Sequence, residues 1–252
     1  MSRGHRLLLL ATVVAGCNAK IADGTNPLGG VDGSTSDGSG SGSGSGSDGS
    51  VVPLCATSQL YLNFDGQQLT QGASDATTNH AAWMQIAQGT APRYRTNDTN
   101  RMGEINSIVS GVRTQLASFP ITVTTTRPTT GHYMMVVFGG TAQQVGSRFG
   151  GAVQQLDCGD VTPNDVAWIS DGVNGTQHVV NNVLGAIGFG VGLTATLDQN
   201  DCMCAWDNNC TPNNNAPCHL GSPIARDPAA RQLCPGLTTQ DEVASIHKAF
   251  CE

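Results

Sequence analysis

Leu184-Gly185-Ala186-Ile187-Gly188-Phe189-Gly190-Val191-Gly192-Leu193-Thr194-Ala195-Thr196 is the stretch on which the reading of this chain turns. It overlaps an apolar run, Val183 to Leu193, that carries four glycines in 11 residues. Just upstream, Val179, Val180, Val183, Leu184 and Ile187 recur at helical spacing. The pattern predicts a helix over 176–193, with Asn174 or Thr176 as its N-cap. Each glycine inside a helix costs about 1 kcal/mol in propensity. One reading of such a run is a buried helix near close neighbours, where glycine permits tight packing. Two other readings fail on context. Gly190, Gly192 and Ala195 match G-x-G-x-x-A, but a dinucleotide site needs a strand before the motif and a helix after it. Here a helical pattern precedes and a Cys-rich segment follows. Gly188-x-x-x-Gly192 matches a membrane packing motif, yet 11 residues are too few to span a bilayer.

Downstream, residues 198–236 are rich in Asn, Pro and Cys and read as an irregular, covalently tied segment. Nine cysteines occur in the chain, and eight remain when Cys17 is set aside: Cys55, Cys158, Cys202, Cys204, Cys210, Cys218, Cys234 and Cys251. An even set in an exported chain predicts four disulfides, with connectivity left open. A metal cluster of Cys202, Cys204, Cys210 and Cys218 is disfavoured, because their spacings do not form paired C-x-x-C knuckles. Asp198, Asn200 and Asp201 do not have the spacing of a calcium loop and read as a turn. A final helix is expected over about 240–250, with Thr239 and Glu242 as a capping box and Val243, Ile246 and Phe250 as the buried stripe.

Upstream, Leu60 to Phe64 reads as a strand ending at Asp65-Gly66. Met102, Ile105, Ile108, Val109, Val112 and Leu116 predict a helix over 100–116, capped by Asp98 or Thr99. Ile121 to Thr126, the continuous apolar run Tyr133 to Phe138, and Val166 to Ser170 read as further strands. The order predicts an α+β or α/β domain with a small mixed sheet, occupying 53–252.

The N-terminus reads differently. Arg3 and Arg6 precede an apolar stretch, Leu7 to Val14, and Val14-Ala15-Gly16-Cys17 matches a bacterial lipobox. Residues 1–16 are expected to be a lipoprotein signal peptide and Cys17 the lipidated residue. Residues 17–52 would follow as a linker, with Gly-Ser alternation from Ser39 to Ser47 and a reach on the order of 20–25 Å for its Gly/Ser-rich part. The expected destination is the bacterial outer membrane or cell surface, with the lipid as the only membrane contact. A net charge of −7 argues against a nucleic-acid partner.

Taken together, these pieces resemble the lipobox-bearing, metzincin-like zinc peptidases of myxobacterial type. The resemblance rests on Leu60-Tyr61-Leu62-Asn63-Phe64-Asp65-Gly66, Arg127-Pro128, Gly131 to Tyr133, Asp157-Cys158, Gly192-Leu193 and Asp201-Cys202-Met203. It implies a mostly parallel mixed sheet, an active-site-type helix turned at Gly192, and a methionine turn at Met203. In such enzymes three His bind zinc and a Glu activates its water. Here Gly185, Ala186, Phe189 and Ala195 stand at the positions of His, Glu, His and His.

Those four side chains offer zinc no lone pair and the reaction no base. The chain has three Glu, at 104, 242 and 252, none on this helix. His178 shares a face with Gly185 but stands almost two turns away. The reading is therefore a non-catalytic pseudo-peptidase with no cofactor, which either binds a peptide, a protein or an envelope component or serves as a structural surface protein. Phe189 is expected to point into the space a metal would fill. The alternatives are an active zinc metalloendopeptidase with unrecognised ligands, and a disulfide-rich surface module unrelated to peptidases.

Overall fold

The computed structural model describes residues 59–204, 206, 210–234, 236 and 238–250. The signal peptide, Cys17, the linker, Cys55 and Cys251 lie outside the described residues.

A five-stranded sheet organises the domain. Its strands are β1 (Gln59–Asn63), β5 (Thr122–Thr124), β6 (Tyr133–Phe138), β7 (Ala152–Val153) and β8 (Val166–Ile169), in spatial order β5-β1-β6-β8-β7. The first four in that order pair in parallel, and only the edge strand β7 runs antiparallel, against β8. Parallel strands need crossovers, which cover sheet faces and bury the strands on both sides. This explains the unbroken apolar run of β6. Met134, Val136 and Phe138 pack under the helices, while Tyr133, Met135 and Val137 face the opposite layer. The period of two carries through β1 and β8: Leu60, Leu62, Ala167 and Ile169 go one way, Tyr61, Val166 and Trp168 the other.

The helical layer holds α1 (Arg101–Gln115) and α3 (Thr176–Gly190), with α4 (Glu242–Ala249) packed beside them. The two long helices touch closely at Gly111, where a Cβ would lie 2.8 Å from Val180 Cγ2. The opposite layer is a three-stranded sheet, β3-β2-β4, made of β2 (Gln67–Gln71), β3 (His80–Ala81) and β4 (Gln88–Ala91). With the short α2 (Ala142–Val145) it buries Leu69, Trp83, Met84 and Val145 against the main sheet. A two-residue hairpin pair, β9 (Ile224–Ala225) and β10 (Thr239–Gln240), completes the described elements.

Several expectations need correction. Helix α1 starts after Asn100, not at a side-chain cap from Asp98 or Thr99; Asp98 instead accepts the Asn100 N–H. Met102 is 59 % exposed and lies off the buried stripe. Helix α3 begins after Gly175, not at a cap from Asn174 or Thr176, and ends at Gly190 rather than 193. It ends there because Gly192 turns left-handed at φ +84° and Leu193 N–H folds back to Gly188 O at 2.8 Å. At α4 the cap is Asp241, which accepts the Ala244 N–H, not a Thr239–Glu242 box. Glu242 turns inward and accepts the Gly221 N–H. The layer β2–β4 and the edge strand β7 carried no signal, since Gln, Thr and Gly show neither apolar run nor alternation.

Three disulfides occur among the described residues: Cys158–Cys234, Cys202–Cys218 and Cys204–Cys210. The four clustered cysteines are thus bonded in pairs, as the exported-chain reading expected. Among the described residues of 198–236, regular structure is limited to β9 and a 3₁₀ turn at Ala230–Gln232.

Candidate functional site

Each glycine of the 184–196 stretch meets a different neighbour. At Gly185 a Cβ would overlap the indole of Trp206 and lie 2.8 Å from Cys202 O. At Gly188 it would overlap the thioether of Met203. At Gly190 it would lie 2.8 Å from Asp165 Oδ2 and 2.9 Å from Gln154 Nε2. At Gly192 it would lie 2.7 Å from Asp157 O, on a residue already left-handed. The glycines are therefore contact surface. The bare backbone of α3 lets Cys202, Met203, Trp206, Gln154 and Asp165 approach it, and Gly192 just past its end lets in the 157–159 segment.

Met203 is fully buried beneath the helix, in a turn held by Asp201, whose Oδ1 accepts the Met203 N–H at 2.8 Å. The turn is anchored twice more, by Cys202–Cys218 and Cys204–Cys210.

Between α3, the edge strand and this turn lies a cavity of about 530 Å³. Its wall includes Phe149, Gln154, His178, Phe189, Asp201 and Trp206. Phe189 is 9 % exposed, and its ring centroid lies 5.2 Å from that of Trp206. Of the sequence-predicted positions, Phe189 lines the cavity. Gly185 lies beneath Trp206. Ala186 and Ala195 are wholly buried, and the Ala195 carbonyl accepts the Asp227 N–H at 2.8 Å. The structure thus brings Gly185 and Phe189 together under one indole, with Ala186 and Ala195 buried apart from the cavity wall. Trp206 went unremarked in the sequence. It sits two residues past Cys204 in a segment without periodicity, and no local signal marks it.

The polar groups near the cavity are mostly committed to the fold. Asn181 donates to Ala216 O and accepts from Cys218 N and Gln177 Nε2. Burial holds His178 below the usual histidine range, opposed by its hydrogen bond to the Asn174 backbone, so its imidazole is neutral at pH 7. Glu104 pairs with Arg95 at 2.7 Å on another face of the domain. Among the described residues, no three His, Cys, Asp or Glu side chains converge as a metal site.

Asp165 is a buried titratable group behind the cavity. Its carboxyl sits behind Gly190 and is 5 % exposed. Burial first, and the charge of Asp157 second, push its pKa up to about 8, while the nearby Ser74 hydroxyl and Gln154 amide pull it down. Because the folded value exceeds the unfolded one, its contribution to stability is complete below about pH 4. It is lost as pH rises through about 8. Asp165→Asn removes that titration. In calorimetric unfolding, the variant should gain on the wild type by roughly 2–4 kcal/mol between pH 4 and pH 8. Parallel pH profiles for the two proteins would show that Asp165 is ionised throughout.

A scan against protein-family models and a search of curated proteins both return no match to this chain.

Proposed function

We propose that this chain is an exported lipoprotein, anchored through Cys17, whose metzincin-like domain is a non-catalytic pseudo-peptidase that binds a peptide or protein segment in the cavity beside α3. The observation that carries the reading is the packing at Gly185, where the Trp206 indole takes the room that a side chain on that residue would need. Phe189 backs it with a second ring. On this reading two aromatic rings occupy the space a hydrated ion and its imidazoles would require, and they form part of the cavity wall.

The shape suits an apolar side chain flanked by extended backbone. Phe149 is 45 % and Leu233 50 % exposed, and both reach the cavity wall. The two-residue edge strand β7 lies along one side, and an edge strand can pair with an added segment.

The experiment uses the mature chain in detergent, stripped by chelator and resupplied with zinc. The expected result is substoichiometric zinc and no chelator-sensitive cleavage of a mixed peptide library. Library members retained by the protein should carry a bulky apolar residue, and Phe149→Asp should weaken their binding roughly tenfold, about 1.4 kcal/mol. Stoichiometric zinc with chelator-sensitive proteolysis would instead establish an active metalloendopeptidase.

A further inference from the structure

One buried polar side chain in the cavity wall is not committed to the fold. Gln154 follows directly on the edge strand β7 and is 4 % exposed. Among the described residues, neither its Oε1 nor its Nε2 has a hydrogen-bond partner. Three other carboxamides of the wall contrast with it. Asn181 is bonded to Gln177, Ala216 and Cys218. Asn182 Nδ2 donates to His178 O, and Asn213 bonds Asn200 and Asn215. Burying an amide with both ends unmatched destabilises a fold, so its presence in an interior calls for a physical reason.

The carboxamide lies against the bare backbone of α3. Its Nε2 is 2.9 Å from the point that a Cβ on Gly190 would occupy. Asp165 Oδ2 approaches the same point at 2.8 Å, yet Gln154 Nε2 makes no hydrogen bond to it. Nothing of that kind holds the group in place, so turning about its side-chain torsions toward the cavity breaks no hydrogen bond. The cavity, about 530 Å³, is of a size that takes small ligands or single side chains. Phe189 and Trp206 supply aromatic surface in the same wall.

We propose that Gln154 is the specificity residue of this cavity and recognises a primary carboxamide, the side chain of an Asn or Gln in the bound segment. The inference rests on the reading of the cavity as a peptide site. A primary carboxamide presents a carbonyl and an N–H side by side, so it matches both ends of Gln154 with two hydrogen bonds in one plane. A carboxylate only accepts. It leaves Gln154 Oε1 without a donor and gives up its own hydration. An aliphatic side chain leaves both ends unmatched. A site built around such a pair rejects analogues lacking it, because its own buried polar atoms are then left without partners. In the bound segment the carboxamide sits beside the bulky apolar residue that the rings take.

The probe is phenylacetamide, a ring joined to a primary carboxamide, titrated into the mature full chain in detergent and followed by ligand-observed NMR. Phenylacetate, which only accepts, and N,N-dimethylphenylacetamide, which has no N–H, are the comparisons. Phenylacetamide should bind roughly tenfold more tightly than either, and Gln154→Met should abolish that preference. The same substitution should raise the thermal midpoint by roughly 2–8 °C, because it removes a buried amide without partners. Equal binding of the three probes overturns the proposal, and that comparison needs only the wild type. A lower midpoint in Gln154→Met also overturns it, since the carboxamide is then already bonded within the fold, to Asp165 or to a buried water. The peptide reading fails separately. Peptides retained from the library with no Gln154-dependent enrichment in Asn or Gln overturn this specificity and leave the peptide site standing. If no peptide is retained while phenylacetamide keeps its preference, the carboxamide site stands and the peptide reading falls.

Discussion

The double variant Cys158→Ser/Cys234→Ser should lose about 4 kcal/mol of stability, with a fall in thermal midpoint of roughly 8–16 °C. The bridge joins residues 76 apart in sequence, and loop-closure entropy grows with the logarithm of that span. The nested Cys202–Cys218 bridge removes 16 residues from the free loop, a small correction on a logarithmic scale. The other bridges span 16 and 6 residues, so this one restrains the unfolded chain most among the three described. It also ties the irregular segment 198–236 to the loop before β8, and that segment buries little regular structure of its own. A shift below about 2 °C in non-reducing calorimetry would mean that the segment is held by its packing alone.

Gly192→Ala should cost about 2–5 kcal/mol, for two separable reasons. The residue is left-handed at φ +84°, which costs an L-residue about 1–2 kcal/mol. Its Cβ would also lie 2.7 Å from Asp157 O and 3.1 Å from Gly159 N, and overpacking against backbone adds about 1–3 kcal/mol. Gly159→Ala is the control. Gly159 is left-handed at φ +90° with open space around it, so only the conformational part applies. Urea unfolding should therefore separate the two variants by more than 1 kcal/mol. Equal losses would mean the 157–159 segment moves aside freely. Because Cys158 belongs to that segment, Gly192→Ala and loss of the bridge should not be additive.

Much of the helical layer was legible in the sequence because apolar residues at helical spacing report directly which face is buried. Ile105, Ile108, Val109 and Val112 on α1, and Val179, Val180 and Val183 on α3, all lie in the core. The run Tyr133–Phe138 was read to its ends, since a strand covered on both faces must be apolar throughout. The caps were less legible. A side chain such as Glu242 satisfies the spacing of a capping box equally well whether it bonds the helix end or turns inward to Gly221. Spacing along one chain does not distinguish local partners from distant ones. The layer β2–β4 was missed for a related reason: its Gln- and Thr-rich strands owe their place to what covers Trp83 and Trp168, which are remote in sequence.

The sequence by itself determined that the 184–196 stretch carries glycines and apolar groups and no His, Cys, Asp or Glu, and that the cysteines of the tail suit covalent pairing. Both follow from residue identity, because no fold can put a lone pair on the side chain of Gly185 or a carboxylate on Ala186. Only the tertiary structure decided what the glycines are for. Trp206, Met203, Asp165 and the Asp157 carbonyl come to α3 from other parts of the chain, and each fits only where a Cβ is missing. Close packing is a relation between surfaces, and those surfaces exist only once the backbone has brought both sides together.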